Sequence, residues 1–288
     1  MTSIGSTEAT LGAIARARSV EASAYVLRTG SPFVGALATA AQGGAAVRVW
    51  ADGKPYRDDG GMRRATLAAA GRLRAAGAWV DVVTSRRVHL KAAVVDGVAY
   101  LNDRNWTGGR DTVLRLDDPA EVGLVRAAIE GGETGSDGSL ATAKGAALEL
   151  EAQVIRDGSG AAVDAESEAL GSGPGPYAAL EARARSGARV RLIVSSAELR
   201  GRGGARERAA LAALARAGVA VRVGSARSGA GNEKLCVAGD AAWTGSANAT
   251  YGQPAQCDWG VRTRDPALVG ALRARFARNW AASRPYGT

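Results

Sequence analysis

The two halves of this 288-residue chain repeat one another at a nearly fixed offset, and that repeat limits the folds open to it more than any other feature. Lys91 and Lys234 are 143 positions apart, as are Asn105 and Asn248, Val20 and Val163, Leu27 and Leu170, and Val47 and Val190. The offset shifts by two at Gly77/Gly218 and by four at Pro119/Pro266, where LDDPAEVGLVR and TRDPALVGALR still read alike. A register held across half a chain means two copies of one folding unit.

Each copy alternates strand and helix patterns. SAYVLRT, AAVRVW and WVDVV read as strands, and Ser31-Pro32 opens a helix through PFVGALATAAQGG. ATLAAAGRLRAAG is apolar at spacings of three and four with arginines on its other face. The second half follows with AVDAESEAL, PYAALEARARSG, VRLIV, the loop SSAELRGRGGARER and AALAALARAG. It closes on PALVGALRARFARNWAAS, whose Leu268, Leu272, Phe276 and Trp280 sit four apart on one helix face. The expected fold is α/β, with helices covering a sheet in each of two similar lobes. The expected boundaries are an N-terminal segment at 1–18, a first lobe at 19–133, a Gly/Ser-rich linker at 134–160 and a second lobe at 161–288. Within that linker ALELEAQVIR reads as a short helix.

The stretch VHLKAAVVDGVAYLNDRN, residues 88–105, concentrates the chemistry of the first half. It holds the only histidine, His89, and Lys91 follows two residues later, on the same face of an extended chain. Asp96-Gly97 is a two-residue hairpin signal, and the returning strand delivers Asn102, Asp103 and Asn105. The second copy, GNEKLCVAGDAAWTGSAN, keeps Lys234 and Asn248 but has Asn232 at the histidine position and Gly239-Asp240 at the turn.

His89, Lys91 and Asp96 form an H-x-K-x4-D pattern that resembles the motif of the phospholipase D superfamily, and Asn105-Trp106-Thr107 resembles a run common in that family. The resemblance covers about residues 19–283 and implies two phospholipase D-like lobes related by a pseudo-twofold axis, with the site at their interface in a monomer. It also implies a phosphodiesterase without metal or other cofactor, in which one histidine attacks phosphorus and a second protonates the leaving oxygen. Lysines and asparagines hold the phosphoryl oxygens. Carried over residue by residue, the set is His89, Lys91, Asn105, Asn232, Lys234 and Asn248, supported by Asp96, Asp111, Ser246 and Asp258.

The departures matter as much as the matches. Asparagine cannot act as an acid near neutral pH, so Asn232 leaves the second histidine's work undone. Asn102-Asp103 stands where the second half keeps Gly245-Ser246. Asp103 reads either as a drifted residue facing solvent or as a replacement acid raised by burial. Asp111 is expected to orient His89, whereas Asp258 has no histidine left in its own half and is expected to pair with Lys234 or to begin a strand. An alternative function is therefore a degenerate protein that binds phosphate, a lipid headgroup or nucleic acid without turnover.

Composition bears on the partner. A formal charge of +9 and a pI near 10.1 favour an anionic phosphodiester, from phospholipid or nucleic acid. The loops KPYR and ELRGR fall at corresponding places in the repeat, so Lys54, Arg57, Arg200 and Arg202 are candidates to receive the rest of such a substrate. Cys236 and Cys257 are too few for a disulfide framework and read as core thiols. GSGPGP and GRGG lack the strand and helix context of a nucleotide-binding turn. No window approaches the ~18 apolar residues of a membrane span, and residues 1–18 have no continuous apolar core, so a soluble, cytoplasmic protein is expected.

Overall fold

The structure, a computed structural model, describes residues 2–56, 60–106, 111–160, 162–173, 175–200, 203–225, 230–250 and 253–287. It divides into two units. The first comprises Met1–Asp137 with Ala255–Trp259, and the second Gly138–Pro254 with Gly260–Thr288.

In the first unit the chain runs β1 (Ser3–Gly5), α1 (Thr7–Ala15), β2 (Ser19–Ala24), α2 (Pro32–Gln42), β3 (Ala46–Asp52), α3 (Gly61–Ala75), β4 (Trp79–Val83), β5 (Ala92–Val95), β6 (Val98–Asn102), β7 (Val113–Leu116) and α4 (Pro119–Glu130). Its sheet has the order β1-β7-β6-β5-β2-β3-β4. β2, β3 and β4 pair in parallel, and the crossovers between them carry α2 and α3. Val20, Ala22, Ala24, Val47, Val49 and Ala51 are buried, as strands covered by helices require. Ser31 caps α2 by accepting from Val34 N at 3.2 Å, with Pro32 at the first helical position.

The β5–β6 hairpin turns through Asp96 (φ 48°) and Gly97 (φ 84°), both left-handed, as a tight two-residue turn demands. The Asp96 carboxylate accepts from the backbone N–H groups of Arg18 and Ser19 at 2.9–3.2 Å, which holds its pKa below the ordinary carboxylate range. The motif aspartate thus pins the turn to the start of β2.

The second unit runs β8 (Leu140–Ala143), α5 (Lys144–Asp157), β9 (Ala162–Ser167), α6 (Gly175–Arg185), β10 (Arg189–Ser195), α7 (Ser196–Arg200), α8 (Gly204–Arg216), β11 (Ala220–Gly224), β12 (Leu235–Ala238), β13 (Ala241–Gly245), β14 (Cys257–Thr263), α9 (Pro266–Ala282) and β15 (Arg284–Pro285). Its sheet order is β15-β11-β10-β9-β12-β13-β14-β8. β12, β13 and β14 reproduce the antiparallel β5, β6 and β7, and β9, β10 and β11 the parallel β2, β3 and β4. Each unit has its own apolar core, filled largely by Ala, Val and Leu.

Several expectations change. Residues 134–160 are not a linker: β8 joins the second sheet as an edge strand, and α5 buries Ala147, Leu148, Ala152, Val154 and Ile155. Residues 1–18 likewise belong to the first unit, where β1 pairs with β7 and α1 packs on α2. The repeat therefore begins one strand and one helix earlier in each half than the sequence pattern marked. The first motif strand lies at Ser19–Ala24 rather than SAYVLRT, and part of the loop after VRLIV is the helical turn α7. On α9, Leu268, Leu272 and Phe276 are buried, whereas Trp280 is only half-buried and lies under Arg191 and Arg222 at 5.1 and 4.9 Å. Both cysteines are buried free thiols whose pKa is pushed up by burial.

Glu151, on the buried face of α5, has its carboxyl pushed up to about 8 by desolvation. The unfolded chain releases this proton near its ordinary value of 4.5, so stability is lost as pH rises from about 4.5 to about 8 and is level beyond. Glu151→Gln should remove that loss. It is expected to stabilise the protein by on the order of 3 kcal/mol at pH 7 and by nothing below about pH 4, read from Tm against pH.

Candidate functional site

His89 and Lys91 lie just before β5, where the ladder is still forming: Lys91 O accepts from Asn102 N at 2.8 Å, so the two motif ends are hydrogen-bonded to one another. The preceding segment is anchored by Asp52 at the end of β3, whose carboxylate accepts from Val88 N at 2.9 Å and Lys54 N at 2.6 Å. From this frame the His89 ring reaches Asp258 at the start of β14, with Nδ1 2.7 Å from Oδ1. The Asp258 side chain is 1% exposed and the His89 ring 23%. Gln256 donates to the other Asp258 oxygen at 2.7 Å. A buried carboxylate on Nδ1 favours the proton there and makes Nε2 the acceptor nitrogen of the ring, the one an attacking imidazole would use.

Lys91 Nζ lies 3.0 and 3.1 Å from the two ring nitrogens, and Tyr25, the residue after β2, packs edge-on against the imidazole with centroids 4.7 Å apart. Lys91 is 4% exposed, so its charge is delivered to the ring with little water around it. Asn105, in the turn after β6, has its side-chain carbonyl oxygen buried with no hydrogen-bond partner among the described residues. Trp106 follows in the left-handed region (φ 54°) and stacks on Phe33 at 4.5 Å, which fixes the turn that carries Asn105.

The second motif has the same frame and different contents. Lys234 O accepts from Gly245 N at 3.1 Å, matching the Lys91–Asn102 bond. Gly231 (φ 84°) passes so close to β10 that a Cβ would meet Val194 O at 2.7 Å. Glu166, buried in β9, accepts from Gly231 N, Glu233 N and Asn279 at 2.6, 3.2 and 2.9 Å, and burial pushes its carboxyl up. Lys234, 4% exposed, pairs with Glu168 at 2.9 Å and lies 3.4 Å from the Asn232 carbonyl oxygen. Asn248 donates to the same Glu168 oxygen at 3.4 Å, and its side-chain carbonyl oxygen is buried without a partner among the described residues.

The downstream aspartate beside His89 is not the one expected. Asp111 accepts from the Asn102 amide at 3.1 Å and does not orient His89; Asp258 does. The cause is Asn102, whose buried amide claims Asp111, together with the return of Ala255–Trp259 to the first unit, where Trp259 Nε1 donates to Asn102 O at 2.9 Å. Asp258 does begin a strand, as one of its readings had it, and Lys234 pairs with Glu168. Asp103 does not face solvent: it is 2% exposed, and its carboxylate accepts from Thr112 N at 2.7 Å and lies 3.5 Å from Arg104 Nε. Ser246 is fully buried.

Among the loop cations, Lys54 is exposed close to Tyr56, whose backbone N–H donates to the Tyr25 hydroxyl. Arg87 donates to Lys54 O and lies 6.0 Å from the Tyr56 ring. Arg200 lines an open pocket of about 310 Å³ with Ser196, Ser225 and Arg284. Arg57 and Arg202 lie outside the described residues. The sequence pattern missed Tyr25 and Glu168, although the 143-residue offset relates them to each other. Gln256 carried no signal at all.

Residues 168–280 match a protein-family model described as "Cardiolipin synthase, PLD-like domain". The fold aligns with polyphosphate kinase from Porphyromonas gingivalis over 97% of this chain and 50% of that one, at 17% identity and a TM-score of 0.64. It aligns with phosphatidylserine synthase from Haemophilus influenzae Rd KW20 over 99% of this chain and 87% of that one, at 10% identity and a TM-score of 0.64. The chain spans half the length of the kinase, and at these identities the likeness is one of fold. The search of curated proteins gave no match. No helix among the described residues is long and apolar enough to cross a membrane.

A single histidine makes the His89–Asp258 bond directly observable, because every imidazole signal comes from one ring. The native protein should show the tautomer protonated at Nδ1. Asp258→Asn, which can offer an N–H where the carboxylate accepted one, should shift the proton to Nε2, with nitrogen-15 NMR as the readout.

Proposed function

We propose that this phospholipase D-like chain is a phosphodiesterase whose covalent step runs on His89. The observation that carries the reading is the 2.7 Å contact between His89 Nδ1 and the buried Asp258, with Lys91 within 3.1 Å of the ring. Nε2 attacks phosphorus as the bond to the leaving oxygen breaks, giving a phosphohistidine and the leaving group as its oxyanion, which takes up a proton from solvent where its basicity requires one. Water then attacks the phosphohistidine, releasing a monoester and returning the imidazole. Lys91 and the Asn105 amide stabilise charge on the phosphoryl oxygens, so the reading asks for no divalent cation. The first test is hydrolysis of bis-p-nitrophenyl phosphate with EDTA present. Activity should persist in the chelator and fall to the uncatalysed background in His89→Ala.

Asn232 favours a second reading, phosphate binding without turnover, because it cannot supply the leaving-group proton. The two readings part on leaving-group chemistry. A p-nitrophenolate departs without a proton at neutral pH, whereas the alkoxide of a phospholipid headgroup or a nucleotide does not. Loss of a positioned general acid costs ~10²–10⁴ in rate, so native diesters should be poor substrates beside activated ones. Asn232→His is expected to raise cleavage of unactivated diesters by about that factor and to change the activated substrate little. No cleavage of any diester by either protein, with phosphate binding retained in calorimetry, would favour the binding reading.

A further inference from the structure

The residue after the first strand of each motif framework differs sharply in charge between the repeats. Tyr25 follows β2 and Glu168 follows β9, related by the same 143-residue offset. Both face their motif lysine: Lys91 Nζ is 5.6 Å from the Tyr25 ring centroid, and Lys234 Nζ is 2.9 Å from the Glu168 carboxylate. A tyrosine ring neither neutralises the ammonium nor competes for it. A carboxylate does both.

Glu168 occupies two donors at once. Its Oε2 takes the Lys234 ammonium and, at 3.4 Å, the Asn248 amide. These are the residues that the phospholipase D resemblance would assign to phosphoryl oxygens, so the carboxylate stands where an oxyanion would. The backbone around it is held. Glu168 O accepts from Ser195 N at 3.3 Å, Leu170 pairs with Ala249, and Gly171 N donates to Ala249 O at 2.7 Å. The Lys234 side chain is 5% exposed and the Glu168 side chain 37%, so the cation is fixed within the protein while the anion stands at its mouth.

We propose that Glu168 is a specificity-determining residue that fills the anion position of the second motif, so that phosphate enters there only by displacing the carboxylate. A buried ammonium must be compensated, and here the chain compensates it from within. An incoming phosphate must give back that ion pair and also meet the repulsion of the displaced carboxylate. In the first motif the equivalent place holds Tyr25, an uncharged side chain 5.6 Å from the Lys91 ammonium. The two repeats therefore differ in anion affinity, independently of whether His89 turns substrate over.

Calorimetric titration of the full chain with inorganic phosphate at neutral pH tests this. Glu168→Gln keeps the shape and an acceptor oxygen while removing the charge. It should bind phosphate at least tenfold more tightly than the native protein, or bind one additional phosphate. Glu168→Gln combined with Lys234→Met should lose that gain. Glu168→Asp, which shortens the reach but keeps the charge, should fall between native and Gln and serves if the Gln variant does not fold. Phosphate binding by a folded Glu168→Gln or Glu168→Asp variant that is no tighter than native would overturn the proposal, as would a gain that survives without Lys234. An inactive His89 alongside the expected binding pattern would leave it standing.

Discussion

A lysine ammonium drawn out of water at the end of a central strand has to be matched by hydrogen-bonding partners, because its desolvation costs several kcal/mol if nothing compensates it. Both halves of this chain are built around one such lysine. Lys91 and Lys234 are each 4% exposed, and each backbone carbonyl is tied to the returning strand of its hairpin. The surrounding residues are the chain's answers to that constraint. In the first unit the ammonium rests against the His89 nitrogens and the face of Tyr25. In the second it is neutralised by Glu168.

Those two answers give the halves different chemistry on one framework. Lys91 lies within 3.1 Å of an imidazole that Asp258 contacts through Nδ1, the frame on which the proposed nucleophile rests. With its charge spent, Lys234 is a structural cation unless an anion displaces its partner. Asn232 at the position that His89 holds in the first half, and Glu168 at the position of Tyr25, both set the second motif apart from the first. Retention of the strand frame, with Gly231 pressed on β10 and Glu166 holding the motif loop, explains why the second repeat still reads as a repeat.

The fold was legible because hydrophobic periodicity and the offset survive drift: buried valines at Val20, Val163, Val47 and Val190 keep their places when surface residues do not. The unit boundaries were not. Residues 134–160 are rich in Gly and Ser, and nothing in that composition shows that Leu140–Ala143 adds to a sheet edge or that the next helix packs on it. His89 and both lysines stood out from residue type and spacing alone. Their partners did not, because Asp258 is 169 positions from His89 and Glu168 is 66 from Lys234, separations over which only tertiary structure decides contact. Asp111 looked like the orienting acid because it follows Asn105 where the resembled family carries one. The Asn102 amide, a local departure, had already taken it.

The account turns on His89 as the one nucleophile, and covalent capture examines that most directly. The native protein would be mixed with bis-p-nitrophenyl phosphate, quenched within the first turnover under alkaline conditions that preserve phosphohistidine, digested and mapped by mass spectrometry. The account predicts a p-nitrophenyl phosphoryl adduct on the peptide containing His89, formed in step with the release of one equivalent of p-nitrophenolate. Release of nitrophenolate with no adduct on any peptide, or with an adduct on a residue other than His89, would contradict it.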